Sequence, residues 1–525
     1  MFTIGFAAFS AILAYYAAGS VISGDLTNLI FIAIAAMMGA IMIAILNNWR
    51  RGLLAFLAWL LFEDLARKYL GNNMAIFFLK DALIAMVYLS FFLAYRRREV
   101  RLFRPPFRLP MLLMIWFGIL QIFNPGSPSM AYGLLGIKIY FCYVPLLFVG
   151  YAFLDSEVRL RRFFTFNLVL VLVIASLGIA QSILGHTFLN PANMGEEIRE
   201  LGTLYRVSPI SGAISYRPTS VFVSAGRFAD FLAVAWLSVL GFSGYLILRH
   251  RQGRSLAFIV VAVTAAAAVM CASRGVFMWT MINGVATAVA FIWGAPWRQG
   301  EAVRVIRTIQ RAALGVTFAM FFLAFVFPEA LASRLSLYSE TLSPNSGKSE
   351  LGFRAWDYPV QNLLGAFDDD RWPYGYGIGT SSLGTQYVVR FFHTRPIGVG
   401  VESGFGTIVL EMGIGGLCLW IVLTAAIIAA AFRIVRKLKG SPFFPLAFVI
   451  FWYCSMVFFP ATFGGIQPYQ DFVLNAYLWL LLGILFRLPS LPLSPLLAAD
   501  GRVERRPGID GSPRASREES RRLRK

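Results

Sequence analysis

Long apolar segments recur along almost the whole chain, and they restrict its fold more than any other feature. Most are about 17–25 residues long, the length that a helix needs to cross ~30 Å of hydrocarbon. Hydrophobic residues make up 58% of the 525 residues and charged residues only 14%, far less charge than a soluble protein carries. Because backbone polar groups in lipid must be satisfied within their own segment, helices are expected. The sequence predicts an all-α polytopic membrane protein with about 14 transmembrane helices.

Basic residues are unevenly distributed between the predicted loops. The formal net charge is +20, but these residues flank apolar segments, so we expect membrane lipids rather than nucleic acid as partners. With the N-terminus in the cytoplasm, the short inside loops hold 22 Lys and Arg residues, and the short outside loops hold only Arg67, Lys68 and Arg274. Such an excess marks cytoplasmic loops and predicts that both termini are cytoplasmic (N-in/C-in).

The spacing of the apolar segments predicts four regions. Residues 1–328 contain transmembrane helices 1–11, with a long outer loop at 185–227. Residues 329–402 form a large, partly helical extracytoplasmic loop, which we expect to be a folded cap over an active site because long ordered loops are usually functional. Residues 403–488 contain helices 12–14. Residues 489–525 are predicted to be a basic, disordered cytoplasmic tail.

Five basic residues lie where the charge distribution does not require them. Arg274 is in CASRGVFMW between two apolar segments, Arg217 and Arg227 end the first long outer loop, Arg354 is in GFRAWDYP, and Lys138 lies inside an apolar segment. Several guanidinium groups at one surface suit a pyrophosphate, because each donates to phosphate oxygens in pairs. Alternatively, the arginines contact lipid headgroups, and Lys138 pairs with a buried acid.

Two carboxylates frame the apolar segment VESGFGTIVLEMGIGG. Glu402 falls near the predicted N-terminus of this helix, where the helix dipole favours the ionised form, and an ionised carboxylate can accept a proton from an attacking hydroxyl. Glu411 follows nine residues later, ~13.5 Å along the helix axis. We expect a structural role for Glu411. The alternative interpretation of Glu402 is an acidic residue near the helix N-cap without a catalytic role.

Other charged residues give weaker signals. Asp368, Asp369 and Asp370 could bind a divalent cation, although an acidic loop solvated by water is the simpler interpretation. FEDLARKYLGNN and LKDAL place charges of both signs at a membrane face, which favours mutual neutralisation. No phosphate-binding loop for a nucleotide is found, so the sequence predicts no ATP-dependent chemistry. No metal or cofactor is expected, with a divalent cation at the Asp run as the alternative.

With these motifs in place, the chain resembles the O-antigen ligase/polymerase-like membrane glycosyltransferases (the Wzy and WaaL group) over most of its length. The resemblance rests on Ser273 and Arg274 at the end of a segment, Arg354 beside Trp356, and PYGYGIGT at Pro373–Thr380. Glu402 stands where the ligases have a His. Glu411 and the glycine motif Gly413–Gly416 keep the register.

The resemblance implies a polymerase of exopolysaccharide or O-antigen repeats at the outer face of the bacterial inner membrane. It would transfer a glycan from an undecaprenyl-pyrophosphate donor to a hydroxyl of another lipid-linked repeat. Glu402, Arg274 and Arg354 would be catalytic, and Arg217, Arg227 and Lys138 would help bind the pyrophosphate. An acceptor groove would be formed by the side chains Trp356, Trp372, Tyr374, Tyr376 and His393.

Three further expectations accompany this prediction. A chain-length regulator and a flippase would be partners of a polymerase. The alternative within the enzyme class is an O-antigen ligase that uses lipid A–core as acceptor. The alternative outside that class is a transporter of lipid-linked glycans or anions, with Lys80, Asp81, Lys138 and Glu411 along its path.

Overall fold

The computed structural model describes most of the chain between residues 39 and 493. The described residues are 39, 41–70, 74–100, 102–191, 199, 204–208, 210–249, 253–294, 296, 310, 314–315, 317–318, 321–322, 324–342, 352–382, 384–395, 398, 400–465 and 469–493. The predicted segments before residue 39 and the predicted tail after residue 493 lie outside this part.

Helices dominate the described residues. They are α1 (Trp49–Leu70), α2 (Met74–Arg96), α3 (Arg108–Gln121), α4 (Met130–Phe141), α5 (Leu146–Phe153), α6 (Glu157–Leu184), α7 (Ala225–Arg249), α8 (Arg254–Met270), α9 (Arg274–Gly294), α10 (Pro328–Leu342), α11 (Tyr358–Gly365), α12 (Thr385–Phe392), α13 (Gly404–Lys437), α14 (Phe444–Met456) and α15 (Phe472–Arg487). One π-helical turn precedes α11 (Phe353–Asp357), another follows α14 (Val457–Ala461), and a 3-10 turn follows α15 (Leu488–Ser490).

Eight helical stretches among the described residues are long and apolar enough to cross a membrane. They are Ile76–Arg96, Met130–Phe153, Glu157–Leu184, Ala225–Arg249, Arg274–Gly294, Gly404–Lys437, Phe444–Ala461 and Phe472–Ser490. The prediction of a helical membrane protein is confirmed. The total of 14 spans and their orientation stay predictions.

A small β-hairpin interrupts the otherwise helical fold. Strand β1 (Tyr205–Val207) pairs antiparallel with β2 (Ile214–Tyr216), with Tyr205 opposite Tyr216. The prediction did not include this hairpin, because three-residue strands are too short to give an alternating pattern in the sequence.

The bundle has two ends that differ in what they carry. At one end, which we call the loop end, lie the β-hairpin, α10 and the described residues of the segment 352–400. Contacts confirm that distant helix termini meet there, since Ser182 donates to the Met270 carbonyl at 2.8 Å. At the opposite end, the Gly440 N–H donates to the Gly294 carbonyl at 2.8 Å.

Close backbone approach holds the centre of the bundle together. Helices α5 and α15 cross where Gly150 faces Leu480 and Gly483 faces Leu147. A Cβ at Gly150 would lie 2.3 Å from the Leu480 carbonyl oxygen, and a Cβ at Gly483 would lie 2.1 Å from that of Leu147. Small residues at such crossings let membrane helices pack closely in the absence of a hydrophobic driving force.

Candidate functional site

The turn between α8 and α9 gathers arginine side chains from three parts of the loop end. Arg274 is the first residue of α9. Arg217, which follows β2, lies close to Cys271 and Tyr338, and Arg334 of α10 also lies near Cys271. We call Arg217, Arg274 and Arg334 the arginine cluster. Two of them were predicted from the sequence, and Arg334 was not.

Arg334 has a structural role within the cluster. Its side chain is buried and donates to the backbone carbonyls of Met270, Ala330, Ser182 and Tyr216 at 2.6–3.3 Å. These carbonyls belong to α8, α10, α6 and β2, so one guanidinium joins four elements. No sequence signal identifies it, because an Arg inside PEALASRLSLYSETL resembles any exposed helical charge.

Arg217 and Arg274 lie in different electrostatic surroundings. Arg217 is half-buried, and burial lowers its pKa. Arg274 lies near Glu340 of α10. The Glu340 carboxylate accepts from the N–H groups of Ile210 and Ser211 at 2.9 and 3.2 Å, and a hydrogen bond from the Ser211 side chain is the main reason that its pKa is lowered. The hairpin turn, α10 and Arg274 are therefore linked at one surface.

Two other predicted pyrophosphate ligands have carboxylate partners. Arg227 donates from Nη1 to both Asp64 oxygens at 3.0 and 2.8 Å. Lys138 donates to Asp81 at 2.6 Å. For Lys138 this is the alternative that the sequence left open. Because each cation is already matched by an acid, we leave both out of the site proposed below.

The Asp64–Arg227 pair belongs to a larger buried network at the loop end of α1, α2, α7 and α15. Lys80 donates to Glu63 at 2.8 Å, Arg67 donates to Asp64 at 3.1 Å, and Lys68 donates to Thr219 at 2.8 Å. The mutual neutralisation predicted from FEDLARKYLGNN and LKDAL is seen for Glu63–Lys80 and Asp64–Arg67, whereas Lys68 bonds to a hydroxyl. It lets α1 carry four charged side chains in its last two turns.

Glu402 lies just before α13, whose N-cap is Ser403. Its carboxylate is exposed and accepts a short hydrogen bond from the Tyr358 hydroxyl, while its N–H donates to Asn362 Oδ1 at 3.0 Å. Both partners belong to α11. These partners were not predicted, since contacts across 40 residues or more leave no local pattern in the sequence. Arg354 lies in the π-helical turn before α11, and its side chain is outside the described part of the structure.

Glu411 is fully buried and serves the packing of the glycine-rich loop. Its Oε1 accepts from the Ser381 N–H at 3.0 Å and from the Ser382 hydroxyl at 2.6 Å. The Tyr140 phenol lies beside it. These contacts support the predicted structural role.

The motif PYGYGIGT forms a loop that packs against a break in α13. Gly413 has φ +67° and ψ −173°, which interrupts the helix. Backbone N–H groups of the loop replace the lost helical hydrogen bonds: Tyr376 donates to the Leu410 carbonyl at 2.7 Å and Gly377 to the Glu411 carbonyl at 2.9 Å. Glycine is required at 413, because a Cβ there would lie 2.4 Å from the Pro373 oxygen.

The residues of the predicted acceptor groove lie along the segment 352–400. Trp356 is 66% exposed and contacts Phe463 with ring centroids 5.9 Å apart. Trp372 and Tyr374 are also exposed, at 37% and 79%. Tyr376 donates its hydroxyl to Asp369 at 2.9 Å. His393 is an exposed residue with left-handed backbone that ends α12.

The predicted site residues thus fall into two groups at one end of the bundle. Arg217 lies near Cys271, and Arg274 follows three residues later in the chain, whereas Glu402 has α11 as its immediate neighbour. Asp369 is engaged by Tyr376 and by the Arg371 N–H. Within the described ranges, no group of three or more His, Cys, Asp and Glu side chains is placed to hold a metal ion.

Comparison with protein-family models, curated proteins and solved structures finds no match to this chain. Any assignment of function must therefore be argued from the side chains and their surroundings.

Proposed function

We propose that this membrane protein is a glycosyltransferase that polymerises polysaccharide repeats from an undecaprenyl-pyrophosphate donor. The observation that supports it best is that Arg217 lies near Cys271, three residues before Arg274, at the same end of the bundle as Glu402. Guanidinium groups bind phosphate oxygens in pairs, and a carboxylate at a helix start can act as a base.

In the proposed reaction, a hydroxyl oxygen of one lipid-linked repeat attacks the anomeric carbon of the donor glycan. The bond between that carbon and the pyrophosphate oxygen breaks, and undecaprenyl pyrophosphate leaves with the electron pair. Arg274 and Arg217 would stabilise the charge that develops on it. Glu402 would take the hydroxyl proton. The Tyr358 hydroxyl, which donates to Glu402, would hold the carboxylate in place.

The distribution of basic residues supports the proposed orientation. Helices α7 and α8 meet at the opposite end with Arg249 and Arg254, and α13 ends there with Arg436 and Lys437. The positive-inside rule would make this end cytoplasmic. The loop end would then face outward from a bacterial inner membrane, where a lipid-linked donor and a chain-length regulator could reach it.

One observation favours a transporter as a second candidate. Helix α13 is broken at Gly413 beside the buried Glu411, and discontinuous helices form ion and substrate sites in secondary transporters. Hydrogen bonds from the glycine-rich loop occupy the break. A fixed structural break explains these bonds at least as well as a transport site does. An O-antigen ligase remains the alternative within the enzyme class.

The decisive experiment supplies purified protein in detergent with lipid-linked repeats and measures product length. Elongation without a membrane compartment supports a polymerase; transfer only when lipid A–core is added supports a ligase. Arg274→Ala should lower turnover by about 10²–10³-fold, and Glu402→Gln by about 10²–10⁴-fold with unchanged donor binding. Arg159→Ala, at the opposite end, is the matched control and should leave turnover unchanged. Full turnover in Arg274→Ala would refute the pyrophosphate site.

A further inference from the structure

Helix α12 in the segment 352–400 has one apolar side that is only partly covered. Val388, Phe391 and Phe392 are spaced three and four residues apart and so lie on the same side. Val388 is only 7% exposed, whereas Phe391 is 57% and Phe392 63% exposed. Among the described residues, the apolar side of α12 is therefore covered by protein at Val388 and uncovered at Phe391 and Phe392.

Hydrogen bonds fix the depth of this helix relative to a membrane span. The Tyr132 hydroxyl donates to the Arg395 carbonyl at 3.1 Å and accepts from the Thr394 hydroxyl at 3.1 Å. Tyr132 lies in the first turn of α4, which opens the apolar stretch Met130–Phe153. The C-terminal end of α12 therefore lies level with the start of a span, where hydrocarbon meets headgroups.

The phenylalanine pair continues a surface that already faces lipid. Helix α12 packs against α4, on which Met130 and Leu134 are 60% and 65% exposed. Large apolar side chains exposed on a membrane span contact acyl chains. Phe391 and Phe392 are exposed on the helix that packs against this span.

Positive charge lies on the other side of this helix and at its end. Arg390 is on the same side as Gln386, Arg395 follows the helix, and both are exposed. Aromatic side chains on one face and arginines on the polar face are typical of helices that lie in the membrane interface. The arginines would meet lipid phosphates at that depth.

We propose that α12 is an interfacial helix that inserts Phe391 and Phe392 into the bilayer surface while Arg390 and Arg395 bind the phosphates of anionic lipids. The partner is the phospholipid bilayer itself. This inference rests on the contacts of α12 with α4 and does not depend on the proposed enzyme activity. Insertion of α12 would anchor this part of the loop end to the membrane.

The test places a fluorophore at two positions of the same helix. In a chain whose four native cysteines are replaced by alanine, Phe392→Cys and Gln386→Cys are each labelled with an environment-sensitive dye in nanodiscs containing phosphatidylglycerol. Gln386 is exposed on the polar side and is the matched control. Spin labels near the lipid glycerol should quench the dye at 392 several-fold more than at 386. Equal quenching at both positions would overturn the proposal.

Two further measurements keep the proposal testable. If the cysteine-free chain does not stay monodisperse, a benzophenone amino acid at position 392 of the otherwise native chain should form lipid adducts by mass spectrometry; protein adducts alone would refute it. For the arginines, quenching at 392 should weaken in nanodiscs of phosphatidylcholine alone, and Arg390→Gln with Arg395→Gln should remove this dependence. Equal quenching in both lipids would disprove headgroup binding.

Discussion

The Glu63–Lys80 pair allows a quantitative test of how the buried charges stabilise the bundle. Lys80 Nζ lies 2.8 Å from Glu63 Oε1, and the side chains are 0% and 5% exposed. The ammonium also lies 3.5 Å from the ring centroid of Phe77 and 4.5 Å from that of Phe472. Removing either partner leaves the other as an uncompensated buried charge.

The expected magnitudes follow from this geometry. Glu63→Leu and Lys80→Met should each lower the free energy of unfolding by about 3–5 kcal/mol, because breaking a buried pair strands the remaining charge. The double replacement should cost much less than either single one, since apolar pairs of similar volume are often neutral. We expect the double variant to lose about 2 kcal/mol of unfolding free energy, because the contacts between the ammonium and the two rings are lost.

The measurement is reversible unfolding by dodecyl sulfate in mixed micelles, followed by circular dichroism, for the wild type, both single variants and the double variant. Asp155→Ala is the control. Asp155 is 44% exposed and pairs with Arg159 and, at 3.7 Å, with Arg50, so its removal should cost about 0–1 kcal/mol. If the double variant loses as much stability as the two single variants added together, the pair is not coupled and the reasoning is refuted.

Two further predictions concern the backbone break and the hairpin. Gly413→Ala should lower the free energy of unfolding by more than ~2 kcal/mol, because residue 413 has a left-handed backbone and the Pro373 oxygen lies close to it. The control is Gly284→Ala in α9, where a Cβ meets open space, and it should be neutral or stabilising by up to ~1 kcal/mol. Equal effects of the two replacements in the same unfolding assay would contradict the prediction. Because the pKa of Glu340 is lowered in the fold, its stabilisation is complete above the unfolded value of ~4.3 and is lost as the pH falls through the lower folded value. Hydrogen exchange in the β-hairpin, corrected for intrinsic rates, should therefore rise below pH ~4 in the wild type but show no such step in Glu340→Gln; an identical step in both would refute the role of this carboxylate.

Much of the architecture could be predicted because apolar length is a local property. The starts of α2, α7 and α9 fall close to the apolar segments of the sequence, since hydrocarbon selects against polar residues over each whole stretch. The break at Gly413 was not predicted, although GIGG was recognised as a motif. It depends on a loop some forty residues earlier that supplies the missing hydrogen bonds.

The sequence by itself determined that this is a helical membrane protein, because partition into lipid depends on the composition of each continuous stretch of about 20 residues. Only the tertiary structure decided which cations are neutralised. Lys138 pairs with Asp81 across 57 residues, and Arg227 pairs with Asp64 across 163. The physical reason is that ion pairing in the bundle depends on which helix ends the fold brings together, and separation along the chain does not encode that proximity.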